Sequence, residues 1–368
     1  MITKLRLQNW KSFKDSVVYI DPLTFLIGTN ASGKSNVLDA FQFLHLLMRG
    51  YTLEDAADTT RGGQDWIIKQ GQDWMCLAVT IEEEGFQYDY SITVRKDKLG
   101  LKFEENDIYV SLVGKEEKKY SSMHRAQDVA TNINLNVELS LQEQDLQQAI
   151  SIVRDALKAI FVLNPNPQAM RGFSKLSKEL RMDAGNIAGV LAALEPAEKS
   201  DLEAKLTNYI KPLPERDINQ ITAEVVGLTK TDAMLYCYED WKPEQPVDAR
   251  GMSDGTLRFA AIIVSLLTLK PGSLLIVEEV DNGLHPSRAK ELVKVLKEIS
   301  SDRGIDVLCT THNPILMDEL GNSMIPFISF VKRDDEGNSF IQLLEEKDDL
   351  AKLMASGSVG DMMTEDVL

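Results

Sequence analysis

The sequence predicts an α/β protein: a mixed sheet that carries a phosphate loop, an antiparallel subsheet beside it, and a helical insertion. Three observations predict this. Residues Gly28-Thr29-Asn30-Ala31-Ser32-Gly33-Lys34-Ser35 form a G-x-x-x-x-G-K-S pattern between an apolar run (Leu23, Phe25, Leu26, Ile27) and a run of helical period. Two later apolar runs, 274–277 and 305–310, end in polar clusters, as strands do where open α/β sheets bind ligands. Three runs between 75 and 112 alternate in part, and Glu84-Gly85 suits a tight hairpin between the first two.

The residue types of the first pattern have a chemical reason. Glycines let successive amides turn inward onto phosphate oxygens, helped by the positive end of the following helix. Lys34 reaches the β and γ phosphates, and the Ser35 hydroxyl ligates Mg²⁺. Val37, Leu38, Phe41, Leu44 and Met48 share one helical face. Ala31 stands where glycine is often found, at little cost if its φ is negative.

With 368 residues, the chain can hold two core-building units or one large domain with an insertion. Its 43% hydrophobic and 26% charged residues are those of a soluble protein. The longest apolar run, 259–269, stops at Lys270-Pro271, short of a membrane span, and the first six residues lack a signal-peptide core, so no membrane and a cytoplasmic setting are expected. Cys76, Cys237 and Cys309 are too scattered for a disulfide framework or a zinc site, and the four histidines show no H-E-x-x-H spacing. A net charge of −17 argues against coating nucleic acid by bulk electrostatics, though not against a local basic groove.

In chain order, 3–8 and 16–20 read as a hairpin turning at Asn9-Trp10-Lys11-Ser12-Phe13. Residues 50–73 read as a surface loop, and 75–83, 86–95 and 107–112 as the antiparallel strands. Lys115 to Lys119 read as a solvated turn. Leu141, Leu146, Ile150, Val153 and Leu157 mark a helix ending near Phe161, before the Asn164-Pro165-Asn166-Pro167 break. Helices are expected at about 174–181, 186–194 and 196–210. This divides the chain into an N-terminal lobe (1–112), a helical insertion (113–214) without heptads, and a C-terminal lobe (215–368). Strands return at 219–228 and 233–239.

The C-terminal lobe holds a second constellation. Ser253-Asp254-Gly255-Thr256 precedes an apolar helix, 257–269; taken alone, N-capping by Ser253 or Asp254 explains it. Leu274 to Val277 then lead into Glu278 and Glu279, the arrangement by which phosphate-loop enzymes present a metal ligand and a base. The run 305–310 leads to Thr311-His312-Asn313-Pro314, and its position makes His312 a candidate γ-phosphate contact.

In order, the segments Asn9-Trp10-Lys11-Ser12-Phe13, 28–36, 252–258, 274–286 and 310–314 resemble the ABC-type ATPase heads of the RecF, SMC and OLD group, in particular its compact bacterial AAA family ATPases. Residues 165–171 and 183–186 of the insertion share the look of compact members. The resemblance implies an ABC-ATPase head that binds ATP and Mg. It places Gly28, Asn30, Ala31, Ser32, Gly33, Lys34, Ser35 and Asn36 on the triphosphate, with Lys11 and Ser12 near the nucleotide. Glu278 takes the metal-carboxylate position beside Ser35, and Glu279 that of the base that polarises water. Ser253 and Gly255, in the signature segment, face ATP on another subunit, while His312 senses the γ-phosphate in its own. Glu278 replaces the usual aspartate, so its longer arm is expected to hold Mg²⁺ through water and slow turnover. His285 stands where larger heads carry aspartate. Gln64, Gln70 and Gln72 compete for the family's glutamine loop.

The expected activity is therefore slow ATP hydrolysis by a homodimer that sandwiches two ATP molecules and switches a separately encoded effector, in an anti-phage defence setting. An ATP-dependent DNA clamp in recombination or repair is the alternative. A nucleotide-binding scaffold without turnover is the third reading. Only about fifty residues follow Pro314, too few for the nuclease domain of OLD-type proteins.

Overall fold

A computed structural model describes residues 1–112, 118–122, 143–212, 218–285, 288–347, 350 and 358–360. In chain order, strands β1 (Ile2–Gln8), β2 (Asp15–Tyr19) and β3 (Leu23–Ile27) lead to helices α1 (Lys34–Met48) and α2 (Leu53–Asp58). Then come β4 (Trp74–Glu83), β5 (Phe86–Asp97), β6 (Gly100–Leu112), β7 (Lys118–Ser122), α3 (Glu143–Lys158) and β8 (Ile160–Leu163). The middle holds α4 (Pro167–Met170), β9 (Ser174–Lys175), α5 (Ile187–Ala192), α6 (Pro196–Ile210), β10 (Ile218–Val226), β11 (Asp232–Glu239) and β12 (Lys242–Asp248). The chain closes with α7 (Asp254–Thr268), β13 (Leu274–Val277), α8 (Ala289–Arg303), β14 (Asp306–Thr311), α9 (Pro314–Leu320), β15 (Ile328–Arg333) and β16 (Ser339–Leu343).

Two compact units divide the chain, one of residues 1–161, 272–274 and 325–353, the other of 162–271, 275–324 and 354–368. The first unit contains an antiparallel sheet in the order β2-β1-β4-β5-β6-β7. Its strands alternate buried and exposed residues; β4 shows the pattern through Met75, Leu77, Val79 and Ile81, all buried. Beside it, β15 pairs parallel with β3, matching Phe330 to Ile27, and antiparallel with β16. All five residues of β3 are buried, which is why this strand is apolar at every position but Thr24. Helix α1 buries Val37, Leu38, Phe41, Phe43 and Leu44, and His45 Nδ1 lies 3.1 Å from the Leu157 carbonyl of α3.

In the second unit β10, β11 and β12 form an antiparallel sheet, with β9 also paired to β11. Helix α6 covers the free edge of β10. Thr207 Oγ1 accepts from Ile221 N at 3.1 Å, and the buried Glu203 carboxylate accepts from Ala223 N at 2.8 Å. These side chains satisfy amides that would otherwise invite another strand. Strand β13 lies between β14 and β8, and α7 buries most of its length, as its apolar sequence requires.

Several expectations need correction. The segment 50–73 contains α2, capped by Thr52 Oγ1 on Asp55 N, and a short 3-10 turn at Gly63–Asp65. The third strand begins at Gly100 rather than near 107. The helix expected to reach Phe161 ends at Lys158, because Ile160–Leu163 forms a strand beside β13. No helix spans 174–181; Ser174 and Lys175 pair with Ala233 and Asp232. Strand β12 was not expected at all. Of the expected turn at 115–119, residues 115–117 lie outside the described residues, while Lys118 and Lys119 open β7.

Candidate functional site

The candidate residues fall into two groups, one in each unit. In the first, β3 ends at Ile27 and α1 begins at Lys34, so the intervening loop is the expected strand, loop and helix. Gly33 has φ +122°, and a Cβ there would lie 2.6 Å from Ser339 Oγ and 3.1 Å from Phe13 Cζ. Only glycine allows that backbone and that approach. Ala31 has φ +64°. The condition for a low cost, a negative φ, is thus not met, and alanine holds a left-handed turn that disfavours a side chain by about 1–2 kcal/mol.

Lys34 curls over this loop. Its ammonium donates to the Gly28 carbonyl at 2.6 Å and the Thr29 carbonyl at 2.9 Å. The Ser32 hydroxyl is buried with no hydrogen-bond partner, and no side chain caps the N-terminus of α1. A helix N-terminus without a side-chain cap, a buried unpartnered hydroxyl and a lysine lying on the loop carbonyls suit the phosphate tail of a nucleotide. Asn30 and Ala31 are exposed at the loop's tip, and Ser35 is half-buried on the first turn of α1.

Ser12 lies beside this loop, and Lys11 beside the first turns of α1. The Ser12 hydroxyl accepts from Asn36 Nδ2 and shares a hydrogen bond with Ser339 Oγ, both at 2.8 Å. Ser339 Oγ also bonds to the Ser32 carbonyl at 2.5 Å. Lys11 has φ +49°, fixed where its amide bonds to the Ile67 carbonyl and Lys69 N bonds to Asn9 O. Its ammonium donates to Asp39 Oδ2 at 2.5 Å and to the Arg61 carbonyl at 2.7 Å. Burial pulls the Lys11 ammonium below its ordinary value, with the Asp39 carboxylate opposing the shift. Arg61, which the sequence reading missed, reaches the Ser35 carbonyl at 3.2 Å and Asp39 Oδ1 at 3.3 Å. It is a lone arginine in a polar segment, and no spacing distinguished it. Gln64, one candidate for the glutamine loop, is bound to Asp58.

In the second unit, the four buried residues of β13 deliver Glu278 and Glu279 to its end. Glu278 Oε2 accepts a long bond from Asn164 Nδ2 at 3.4 Å. Glu279 adopts φ +46°, a strained conformation of the kind that gathers at functional sites. Thr310 Oγ1 accepts from its amide at 2.8 Å, and Asn282 Nδ2 donates to its Oε2 at 3.1 Å. Thr311 Oγ1 donates to Asp281 Oδ1 at 2.6 Å and accepts from Asn313 N at 3.0 Å. The exposed His312 is carried between these two anchored residues.

Ser253 is the N-cap of α7, its Oγ accepting from Thr256 N at 3.1 Å, so the capping explanation is physically real. Gly255 is required by packing, since a Cβ there would lie 2.6 Å from Arg288 Nη1 and 2.8 Å from the Gly283 carbonyl. No group of three or more His, Cys, Asp or Glu stands ready for a metal among the described residues. A magnesium ion bound with a nucleotide draws much of its shell from phosphate and water, so its binding does not require such a cluster.

Residues 1–159 match the family described as "AAA ATPase domain", and residues 198–318 the family described as "AAA domain, putative AbiEii toxin, Type IV TA system". The DNA replication and repair protein RecF of Thermosynechococcus vestitus is 30% identical over 95 residues, 26% of this chain and 23% of that protein. These matches, with the relatives and solved structures that follow, support an ABC-type ATPase of the RecF and SMC group. The DNA double-strand break repair Rad50 ATPase of Thermoplasma volcanium is 30% identical over 97 residues, 26% of this ATPase and 10% of that one. The matches thus span under a quarter of these relatives. Among solved structures, the SmcHead bound to the C-winged helix domain of ScpA has a TM-score of 0.58 at 18% identity, covering 93% of this chain and 97% of that one. The Smc head with an extended coiled coil bound to the C-terminal domain of ScpA from Pyrococcus furiosus gives 0.54 at 15%, covering 96% and 98%. At such identities the likeness is one of fold: an ABC-ATPase head, a phosphate-loop mixed sheet with an antiparallel subsheet. None of its described helices is long and apolar enough to cross a membrane.

Proposed function

We propose that the chain is an ATP-driven switch. Two copies close around two ATP molecules with Mg²⁺, and slow hydrolysis reopens them to control a separately encoded partner. The observation that carries this reading is the Lys34 ammonium lying on the Gly28 and Thr29 carbonyls, beside the buried, unpartnered Ser32 hydroxyl. An incoming phosphate offers Lys34 a charged acceptor in place of these two carbonyls. In this reading residues 28–36 hold the triphosphate with Lys11 and Ser12 nearby, Ser35 and Glu278 hold the metal, Glu279 polarises water, and His312 senses the γ-phosphate. Ser253 and Gly255 contact the ATP of the other copy. Loss of the γ-phosphate removes the differential contacts that favour the closed pair. The toxin named in the description of the family matching 198–318 is what supports an anti-phage defence setting.

Phosphate release by the parent, Lys34→Ala and Glu279→Gln tests the reading. Hydrolysis by the parent alone, with ATP binding retained in Glu279→Gln and lost in Lys34→Ala, is expected. Equal, negligible rates for parent and Glu279→Gln would leave a scaffold. A second reading, an ATP-dependent DNA clamp, takes its motive from the repair roles in the names of the RecF and Rad50 relatives. It requires salt-dependent duplex binding only with ATP, and absence of such binding at low salt removes it.

A further inference from the structure

We propose that Arg171 is a positioning residue that holds the turn 252–254 in the shape the signature segment needs. The inference rests on the dimer reading above and deepens it by naming what sets that segment's geometry. Arg171 follows α4, far in sequence from the turn, yet its Nη2 donates to the Met252 carbonyl at 2.9 Å and pairs with Asp254 Oδ1 at 2.7 Å. One guanidinium nitrogen thus bridges both residues that flank Ser253. On the other side, buried Arg288 approaches Thr256 Oγ1 at 3.5 Å and closes the space beside Gly255. The turn is therefore held between two arginines, and Ser253 stands exposed between its anchored neighbours.

Stability alone does not account for Arg171. Its partner Asp254 is 59% exposed, and an ion pair with so much water around it contributes little. Its Nη1 is buried without a hydrogen-bond partner, which is a cost. A side chain with that balance is explained by what its other end fixes, the carbonyl and carboxylate on either side of Ser253. The stretch 164–171 also reaches Glu278, through Asn164 Nδ2. One short strap of chain thus touches both the metal-carboxylate residue and the signature turn.

The test compares Arg171→Ala and Arg171→Lys in the full chain, in the Glu279→Gln background. Hydrogen exchange at amides 253–257 is measured without nucleotide, and ATP-driven self-association by mass at graded concentration. For Arg171→Ala, exchange at those amides is expected to quicken roughly tenfold, the size of one lost charge-assisted hydrogen bond. Association weakens by at least as much, while ATP affinity of the dilute monomer and the thermal midpoint stay near the parent's. The lysine variant, which keeps the charge but not the fork, falls between. Unchanged exchange overturns the proposal, and so does quicker exchange with undiminished association. A fall in midpoint and ATP affinity together with association overturns it in favour of a merely structural role. If the Glu279→Gln parent never associates with ATP, the dimer reading fails instead, and exchange at 253–257 alone decides whether Arg171 holds the turn.

Discussion

Replacing Thr310 by valine removes one hydroxyl and nearly conserves shape, at a side chain that is 1% exposed. That hydroxyl accepts the Glu279 amide at 2.8 Å, and Glu279 sits at φ +46°. A buried amide left without an acceptor costs about 1–3 kcal/mol. Two features lower that figure here. The amide is only part-buried, so water recovers some of the loss. Glu279 can also leave its left-handed turn and recover about 1 kcal/mol of strain. The net loss is then about 1 kcal/mol, read as a lower urea midpoint with an unchanged slope. Val280 N stays bonded to the Thr310 carbonyl at 3.0 Å, so β13 remains in place and the damage falls on the direction of the Glu279 carboxylate. Phosphate release is expected to drop roughly ten- to a hundredfold in kcat, the scale of an ångström of misplacement, with KM for ATP unchanged. Thr310→Ser keeps the hydroxyl and restores most of the rate. Parental turnover and an unchanged midpoint in the valine variant would refute the argument that Thr310 orients Glu279.

Three further outcomes are expected. Gly33→Ala forces a Cβ to 2.6 Å from Ser339 Oγ at φ +122°, so it abolishes ATP binding by calorimetry and lowers the urea midpoint; parental affinity would contradict this. Glu203→Ala leaves the Ala223 amide and the Thr222 hydroxyl short of a buried acceptor and uncovers the β10 edge, costing about 1–3 kcal/mol and raising concentration-dependent aggregation in light scattering. Burial pushes the Cys237 thiol up to about 11 and raises that of Cys309, so these two should react slowly with a thiol reagent at neutral pH until the chain unfolds, whereas fast labelling of both in the native protein would contradict their burial.

The phosphate loop was legible because its chemistry needs fixed residue types at fixed spacing, and β3, α1 and β13 because burial imposes an apolar run or a 3.6-residue period. What escaped depends on contacts between residues far apart in sequence. Strand β12 contains Pro243 and Pro246, which argue against a strand until its place at the end of the β10-β11-β12 order is known, since an edge strand tolerates proline. Ser174 and Lys175 are a strand only because β11 offers a partner. Phe161 continued a helical pattern in the sequence, but Ile160 and Val162 are β-branched and β13 lies beside them. At the site, the positive φ of Ala31 and Glu279 has no signature in residue type, for neither is glycine. Arg61 acts across the fold as a single side chain in a polar segment, without a motif to mark it, and Arg171, although it ends the stretch 165–171 that looks like compact members, acts through contacts with 252–254 that no spacing shows.

The central claim is that ATP joins two copies of this chain, each supplying Ser253 and Gly255 to the other's nucleotide. The most direct measurement is the solution mass of Glu279→Gln with and without ATP and Mg²⁺. A shift from 41.2 kDa to twice that mass with ATP alone, abolished by Ser253→Arg, is the predicted result. A chain that binds ATP and stays at 41.2 kDa, or one that doubles equally well with Ser253→Arg, would contradict it.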